Sequence, residues 1–492
     1  MTIKAAREPD LSPKTAGYVY QVQAVNATKD LPYAAVFHEQ GLGKTKIGTD
    51  IALYWLMKSV VDSVIIVTKR GLIQNWVDEL RIHSHVSPRL LSQDRRANFL
   101  AFNSPARIYL THYEVLKSER KRIKLFLQTR RVGIILDESH KIKNPNSELT
   151  EAIFDLAPGF NRRVIMTGTP VANRPYDIWA QIFFLDQGAS LGRDFSAFKR
   201  ELDLSNEFSY NADRAARFEE SLSALFHRIQ RFSVRETKRD ADISLPEKNL
   251  RNVAADLEPH QAEIYDRFRK ECSAIVVKRG IPEYDDAEDI LKRLLRLIQV
   301  ASNPKLVDES YHNMPGKFPV LLGLIEEITD RHEKAIVWTS FVENADWLAR
   351  ELRTYHAVKV HGKLPYEKRA KSINTFRTDS ECRLLVATPP SAKEGLTLTI
   401  ANNAIFYDRS FSLDDYLQAQ DRIHRISQDR DCTITNIVAI DTVDEWVDTL
   451  LAAKHLAAQL GQGDITRQEY KSQASYVFGE MLKDVLRLNG GH

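Results

Sequence analysis

The chain has 492 residues, of which 43% are hydrophobic and 27% are charged. This length exceeds what a single hydrophobic core supports, so two to four domains are predicted. The net charge is only +3, so the overall charge does not indicate which partner the protein binds. A polyanion would have to be bound by local patches of the surface. Cys272, Cys382 and Cys432 lie too far apart for metal-ligand spacing or a disulfide framework, which favours buried, reduced thiols.

A phosphate-binding loop is predicted near the start of the chain. Residues 34–37 are predicted to form a buried strand and residues 45–57 an amphipathic helix. Between them lies the turn GLGKT, in which Gly41, Leu42 and Gly43 present backbone N–H groups to phosphate at a helix N-terminus. Lys44 is expected to reach the β- and γ-phosphates and the Thr45 hydroxyl to hold Mg²⁺. The full motif has glycine where this chain has His38, so GLGKT alone also fits a loop without a ligand.

A series of apolar runs follows, at residues 63–67, 107–110, 132–136 and 163–166. Strands that alternate with helical stretches predict a parallel α/β sheet, in which ligands bind beyond the carboxyl ends of the strands. DESH follows the third run and TGTP the fourth. Asp137 is therefore expected to hold Mg²⁺, and Glu138 to orient and deprotonate water against the γ-phosphate. The alternative for this acid pair is a solvated surface position.

A second α/β series starts near Lys334, with strands predicted at 335–338, 357–360, 384–387, 404–407 and 433–439. It contains no second phosphate-binding loop, but it contains QAQDRIHRISQ, residues 418–428. Arg422 and Arg425 stand three residues apart, on one face if the stretch is helical, and suggest arginine fingers. The alternative is a pair of surface cations. Residues 177–312, between the two series, have a helical pattern.

Nine motifs occur in an order that resembles Swi/Snf-type ATPases of helicase superfamily two: YQVQAV, HEQGLGKT, VTKRGLIQNWVDEL, LTHYEVL, DESH, TGTP, IVWTSF, ATPPSAKEGLTL and QAQDRIHRISQ. RFSVRETKRDADISLPEK resembles the family's arginine-rich segment and linker, and NIVAIDTVDEWVDTLLAAK resembles its C-terminal brace. The resemblance covers about residues 18–454. It implies an α/β fold with two RecA-like parallel-sheet lobes in tandem and helical insertions.

The implied domains are a first lobe at 1–240, with a helical insertion at about 177–235, and a linker with a helical protrusion at 241–316. A second lobe with the brace follows at 317–454, and a helical tail at 455–492. Within the tail, YVFGEMLKDVL is predicted to be an amphipathic helix.

The resemblance also assigns roles to single residues. Gln21 matches the adenine-recognising glutamine, and Gly395 matches a glycine that faces both ligands. Some residues of the family couple the nucleotide state to nucleic-acid binding. The residues of this chain that match them are His140, Thr167 and Thr169. Lys44, Thr45, Asp137, Glu138 and the two arginines match the family's catalytic positions, so ATP and Mg are the implied cofactors.

The chain departs from the family pattern at several places. Ser139 replaces the more common alanine of the acid box, Ser427 replaces a glycine, and FSLDD stands where tryptophan-asparagine-proline is usual. SAKEGLTL lacks paired glycines and is closer to the annealing, fork-remodelling branch. These departures leave the ATPase chemistry in place and leave the subfamily open.

Nucleic-acid contacts are expected from polar residues at the strand ends of both lobes. The candidates are Lys69, Thr111, Tyr113, Thr339, Ser340, His361, Thr388 and Lys393, with ordinary loop polarity as the alternative for each. Residues 117–131 hold seven basic residues against one acid, and they fit either a helix on the phosphate backbone or a solvated helix face.

Three functions fit these observations. The first is a DNA-stimulated ATPase that translocates on double-stranded DNA, and the second is an annealing or fork-remodelling helicase on branched DNA. The third is an ATP-gated DNA-binding subunit of a larger assembly. The polar N-terminus and the short apolar runs predict no signal peptide and no membrane span. We expect a monomeric cytoplasmic motor, associated with the nucleoid in a prokaryote or acting in the infected host cell if viral.

Overall fold

The computed structural model describes residues 10–104, 106–171, 173–203, 212–241, 245–278, 287–392, 398–425 and 427–473. The chain divides into two compact units. The first comprises Met1–Val171, Pro175–Glu201 and Ala224–Ile243, and the second comprises Ala172–Arg174, Leu202–Ser223 and Ser244–His492. Each unit is built around one parallel sheet flanked by helices.

The first sheet has seven strands in the order β3-β4-β2-β5-β6-β1-β7, and all of its strand pairs are parallel. The strands are β1 Tyr33–Val36, β2 Ser63–Thr68, β3 Arg89–Leu90, β4 Ile108–His112, β5 Val132–Asp137, β6 Arg162–Met166 and β7 Ser233–Val234. Every residue of β2, β4 and β5 is buried, because helices cover both faces of the sheet.

Ten α-helices precede β7 in the described part of the chain. They are α1 Val19–Thr28, α2 Lys44–Met57, α3 Ile73–His83, α4 Arg95–Asn103, α5 Tyr113–Ser118, α6 Arg120–Thr129, α7 Glu148–Leu156, α8 Ile178–Asp186, α9 Phe195–Glu201 and α10 Ala212–Ile229. The part of α10 up to Ser223 belongs to the second unit. The core between α2, α3 and the sheet is apolar and includes the fully buried Trp55 and Trp76. This core holds the carboxyl ends of the strands in place, and the polar loops begin at those ends.

The second sheet has six strands in the order β10-β11-β9-β12-β13-β8, again with every pair parallel. The strands are β8 Lys248–Ala255, β9 Ala335–Trp338, β10 Val358–Val360, β11 Leu384–Ala387, β12 Asn403–Phe406 and β13 Cys432–Ala439. The helices are α11 Pro259–Lys278, α12 Ala287–Ser302, α13 Lys317–Asp330, α14 Val342–Glu351, α15 Tyr366–Thr378, α16 Leu413–Gln420, α17 Val443–Gln462 and α18 Arg467–Gln473.

The predicted strands agree closely with these elements. The apolar runs predicted in both series correspond to β1, β2, β4, β5 and β6, and to β9 through β13, with ends shifted by no more than two residues. The α/β fold with two RecA-like parallel-sheet lobes is thereby confirmed. A run of buried aliphatic residues between polar turns is enough to locate a central parallel strand.

Two expectations meet a different outcome, and a third falls on residues that the structure does not describe. SLPEK, residues 244–248, was expected to be an extended linker, but its last residue, Lys248, begins β8, which pairs with β13 along its whole length. Helix α16 ends at Gln420, so Arg422 and Arg425 lie in the turns after it rather than on a helix face. The predicted tail helix YVFGEMLKDVL lies outside the described residues.

The cysteines are free thiols, and Cys382 and Cys432 are buried. Among the described residues, no helix combines the length and apolarity that crossing a bilayer requires.

Candidate active site

The turn between β1 and α2 has the backbone conformation that its glycines permit. Gly41 has φ of 90° and Gly43 has φ of 67°, in the left-handed region that side chains disfavour. A Cβ on Gly43 would also lie 2.3 Å from Nε2 of Gln21. Gln21 is buried, and its Nε2 donates to the Leu42 carbonyl at 3.2 Å. The glutamine predicted to recognise adenine therefore packs against the predicted phosphate-binding loop.

Lys44 begins α2, and its ammonium group is turned back onto the loop. Nζ donates to the carbonyl of His38 at 3.0 Å and to that of Glu39 at 3.2 Å. Thr45 follows in the first turn of α2 and is partly buried. Phosphate binding by Lys44 would exchange these two carbonyl acceptors for phosphate oxygens, which form stronger charge-assisted hydrogen bonds.

Asp137 is the last residue of β5 and is held by two side chains from neighbouring elements. Its Oδ2 accepts from Thr68 Oγ1 at 3.0 Å and from Trp76 Nε1 at 2.8 Å. Burial, with the adjacent charge of Glu138, raises the pKa of Asp137 to about 6. A buried carboxylate that repels a neighbouring carboxylate is a strong attractor for a cation.

The donor chemistry fits Mg²⁺. Asp137 supplies a carboxylate and Thr45 a hydroxyl, and nucleotide phosphates would supply the remaining hard oxygen ligands that Mg²⁺ prefers. Among the described residues there is no cluster of three or more histidine, cysteine or acidic side chains that would form a metal cage by itself. The predicted Mg²⁺ therefore fits this site as a nucleotide-bound ion.

His140 connects the acid pair, Asp137 and Glu138, to the loops that follow two other strands. Glu138 has φ of 54°, a left-handed conformation that is rare outside glycine. His140 Nδ1 lies 3.3 Å from Glu138 Oε2 and 3.3 Å from Thr167 Oγ1, and its Nε2 lies 2.8 Å from Lys69 Nζ. The Thr167 hydroxyl also accepts from the Thr169 N–H at 3.2 Å. His140 thus joins the ends of β2, β5 and β6.

The first-unit candidates for nucleic-acid contact differ in exposure. Lys69 is partly exposed, whereas Thr111 and Tyr113 are fully buried. Thr111 donates to the Leu91 carbonyl, and Tyr113 donates to the Asp137 carbonyl at 2.7 Å. These two hydroxyls are used inside the unit, so they have no surface with which to contact a nucleic acid in this structure. Tyr113 instead supports the residue that is predicted to hold the metal.

The second-unit candidates lie at the carboxyl ends of their strands, and most of their side chains are buried. Thr339 Oγ1 donates to Asp408 Oδ2 at 2.5 Å, and the Ser340 N–H donates to Asp408 Oδ1 at 2.6 Å. His361 Nε2 lies 2.9 Å from Asp346 Oδ1, and Thr388 Oγ1 donates to Ser391 at 3.0 Å. Lys393 and Gly395 lie outside the described residues.

Arg422 and Arg425 belong to the second unit. Arg422 is buried, and its carbonyl accepts from the Leu398 N–H at 3.0 Å. Arg425 is partly buried, and its Nε donates to the Asp421 carbonyl at 2.7 Å. Their predicted role as arginine fingers stays a prediction.

The basic segment 117–131 forms the end of α5 and all of α6. Ile123 and Phe126 are buried, and the cations lie on the opposite side. Five of the seven form ion pairs within the unit: Lys117 with Glu148, Arg120 and Lys124 with Asp155, Arg122 with Glu119 and Arg131 with Asp62. A cavity of about 430 Å³ lined by Arg95 and residues 117–122 lies beside them. The segment still fits either a helix that lies on a nucleic-acid phosphate backbone or a solvated helix face.

Sequence reasoning missed the side chains that support the acids. Trp76 is fully buried in the core, and it also donates to Asp137. Ser139 donates to Gln181 at 2.7 Å, which connects the acid box to α8. Neither pairing has a signal in the local sequence, because the partners are remote along the chain.

The fold and this geometry define a class of protein. A parallel α/β unit with a phosphate-binding loop on one strand and an acid pair on another, followed by a second unit of the same kind, is the core of a helicase-type ATPase. The model of the SNF2-related domain matches residues 32–306, and that of the helicase conserved C-terminal domain matches residues 316–427. The chain belongs to the SNF2-related family.

Curated relatives include an uncharacterized ATP-dependent helicase, MG018, of Mycoplasma genitalium. It is 26% identical over 439 residues, which cover 87% of this chain and 40% of the relative. The ISWI chromatin-remodeling complex ATPase ISW1 of Saccharomyces cerevisiae is 22% identical over 497 residues, covering 94% of this chain and 42% of the relative. This chain therefore spans about two fifths of the length of these relatives.

Among solved structures, the Sulfolobus solfataricus SWI2/SNF2 ATPase core in complex with dsDNA is 25% identical. The match covers 96% of this chain and 97% of that chain, with a TM-score of 0.42.

Proposed function

We propose that this chain is an ATP-dependent translocase on double-stranded DNA, which couples hydrolysis to movement along the duplex and to remodelling of protein–DNA or DNA structures. Lys44 binds the phosphates, Thr45 and Asp137 hold Mg²⁺, and Glu138 activates water. Arg422 and Arg425 complete the site from the second unit. Family membership and the ATP-dependent helicases among the relatives support the ATPase part of this proposal.

The observation that carries the proposal is the chain of polar contacts through His140, in which Glu138 Oε2 lies within ion-pair distance of the imidazole. One imidazole contacts Glu138, which is predicted to activate water, and also Lys69, which is partly exposed at the end of β2. A nucleic-acid phosphate that attracts Lys69 would remove a partner from His140 and so change the surroundings of Glu138. This is a direct physical route by which DNA can stimulate hydrolysis.

The proposed contacts with DNA are to phosphates and are therefore independent of sequence. Lys69 is the first-unit residue that we retain for this role, because it is partly exposed. In the second unit we retain the side chain of Ser340, together with Lys393. Phosphate contacts release counterions, so DNA stimulation should weaken steeply as salt increases.

The experiment compares the steady-state ATPase rate without nucleic acid and with linear duplex DNA, single-stranded DNA, forked DNA or RNA. We expect a low basal rate and strong stimulation by linear duplex. Lys44→Ala and Glu138→Gln should each lower the stimulated rate by at least about 100-fold, since both act at the reacting phosphate. Displacement of a protein obstacle from linear duplex, blocked by the same substitutions, would support translocation.

Other outcomes select the alternatives. Stimulation by a fork well above that by linear duplex would favour the annealing or fork-remodelling helicase that SAKEGLTL suggests. DNA binding that depends on ATP, without turnover or displacement, would favour the ATP-gated binding subunit. A rate that no DNA substrate changes would overturn the first two functions, and DNA binding that ATP does not change would overturn the third.

A further inference from the structure

A short segment near the end of the first unit lies directly on the phosphate-binding loop. Strand β7 pairs with β1, and the hydrogen-bond ladder continues past both strands. The N–H groups of Ala35, Phe37 and Glu39 donate to the carbonyls of Phe232, Val234 and Glu236 at 2.8, 2.8 and 2.9 Å. The third of these bonds reaches into the loop itself, because Glu39 lies between β1 and Gly41. We call residues 235–238 the loop clamp.

Two side chains of the loop clamp extend this contact. Arg235 Nη1 donates to the Phe37 carbonyl at 2.7 Å. The Lys238 N–H donates to one carboxylate oxygen of Glu39 at 2.8 Å, and Lys238 Nζ lies 3.5 Å from the other. The carboxylate of Glu39 is thus held by both the backbone and the ammonium group of one residue. The Lys238 side chain is 11% exposed and that of Glu39 is 35% exposed, so this ion pair is partly shielded from water.

Glu39 connects the loop clamp to the catalytic lysine. Its carbonyl accepts from Lys44 Nζ at 3.2 Å, its N–H donates to Glu236, and its carboxylate binds Lys238. The Lys238 stem also covers Gly41, since its Cε lies 3.7 Å from where a Cβ on that glycine would stand. Every polar group of Glu39 therefore has a partner within the first unit, and these contacts hold the loop between His38 and Gly41.

The loop clamp is itself held in place. Thr237 Oγ1 donates to Asp240 Oδ2 at 2.7 Å and accepts from the Asp240 N–H at 3.2 Å. The Ala241 N–H donates to the Thr237 carbonyl at 3.0 Å. This turn directs Lys238 towards the loop. A loop held in one conformation before the ligand arrives binds it more tightly, because less conformational entropy is lost on binding.

We propose that Lys238 and Glu39 are positioning residues of the ATP site. Their ion pair holds the phosphate-binding loop in the conformation that receives ATP, and it acts through the loop rather than by touching the nucleotide. The inference rests on the proposed ATP site at Lys44. The loop clamp, with the sequence RETK, therefore has a proposed role in nucleotide binding. The spacing of the motifs does not indicate this role.

The test measures affinity for a fluorescent ATP analogue, the KM and kcat of the basal ATPase, and the melting temperature of the 492-residue chain. The variants are Glu39→Gln, Lys238→Ala, their combination and Lys238→Arg. The matched control is Arg239→Ala, because the Arg239 side chain is 87% exposed and adjacent to Lys238. Lys44→Ala reports whether the analogue binds at the proposed site.

We expect Glu39→Gln and Lys238→Ala each to weaken binding and raise KM about tenfold, which corresponds to about 1.4 kcal/mol. The kcat should stay within about twofold. The combined variant should bind no more weakly than either single one, because both remove the same interaction. Lys238→Arg should recover most of the affinity, and Arg239→Ala should match the parent.

Parental affinity in Glu39→Gln, which is isosteric and keeps the fold, would overturn the proposal, as would a combined effect equal to the product of the two single effects. Analogue binding that is absent in the parent, or unchanged by Lys44→Ala, would remove the ATP site itself and the loop clamp's role with it. Failure of the ATP site and failure of the loop clamp can be told apart. The first is seen with the parent chain and Lys44→Ala alone, before any loop-clamp variant is compared.

Discussion

At Gly43 a single residue decides whether the phosphate-binding loop can form. Its φ of 67° costs a residue with a side chain about 1–2 kcal/mol, and the added Cβ would displace the amide of Gln21. We expect Gly43→Ala to lower the free energy of unfolding by about 1–2 kcal/mol and to weaken ATP binding. Urea denaturation and analogue binding measure the two effects.

Gly323 provides the matched control for this prediction. It lies inside α13, and a Cβ there would meet no atom within 4 Å. Gly323→Ala should raise the free energy of unfolding by up to about 1 kcal/mol, through helix propensity alone. Equal stability of Gly43→Ala and the parent would contradict the role given to Gly43.

His38 makes the stability of the first unit depend on pH. Burial and the charge of Lys44 lower its pKa to about 4, although backbone carbonyls of Tyr20 and Val234 partly oppose this. The unfolded chain, with a histidine pKa of about 6.5, binds a proton that the folded chain excludes, so stability is lost as pH falls from about 6.5 towards 4. Between pH 7 and pH 5 this loss amounts to about 2 kcal/mol.

We therefore expect His38→Gln to lose about 2 kcal/mol less than the parent on acidification from pH 7 to pH 5. Urea denaturation at the two pH values gives the comparison. His356→Gln is the control, because His356 follows a short helical turn before β10 in the other unit. An identical pH dependence of the parent and His38→Gln would show that burial does not perturb this imidazole.

At the scale of an element, α17 is fastened by an ion pair that is buried on both sides. Lys317, at the start of α13, pairs with Asp444 in the first turn of α17, and their side chains are 0% and 4% exposed. Lys317 Nζ also donates to the Tyr407 carbonyl at 3.1 Å, and Asp444 Oδ2 accepts from the Ala439 N–H at 3.0 Å. This contact joins α13, β12 and β13 to the helix that resembles the brace.

Removing one partner leaves a buried charge without compensation. Asp444→Ala should lower the free energy of unfolding of the second unit by about 3–5 kcal/mol. Replacing both partners, as Lys317→Met with Asp444→Leu, should recover much of this loss, because no isolated charge remains. Asp429→Ala is the control, since that side chain is 91% exposed. A double variant less stable than Asp444→Ala would contradict this explanation.

Strand β8 shows why some elements escape prediction. Its residues are mostly exposed or partly exposed, so it lacks the apolar run that marks a central strand. It becomes a strand because β13 offers a free edge, with register from Lys248–Cys432 to Ala255–Ala439. The decisive partner is remote in sequence, whereas the central strands carry their own signal in buried aliphatic side chains.

For the whole molecule, the central prediction is that ATP hydrolysis requires residues from both units. Arg422→Ala and Arg425→Ala should each lower DNA-stimulated kcat by about 1,000-fold or more, because arginine fingers stabilise charge that develops in the transition state. The affinity for the ATP analogue should change little, since the loop, Lys44 and the acids belong to the first unit. Single-turnover and binding measurements separate the two effects.

Arg350→Ala is the control for the arginines, because its side chain is 65% exposed on α14 of the same unit. Circular dichroism should confirm that Arg422→Ala is folded, since Arg422 is buried. Undiminished kcat in both arginine variants would show that the second unit does not complete the site.

The amino-acid sequence alone determined the two parallel-sheet units, the loop at Lys44, the acids at the end of β5 and the order of the motifs. Aliphatic runs, glycines and helix-initiating turns are local, so the information lies within a few residues of each feature. Only the tertiary structure decided that Trp76 holds Asp137, that Tyr113 faces inward and that Lys238 binds Glu39. These polar contacts form between remote segments of the first unit, and their geometry exists only once its sheet has placed the strand ends side by side.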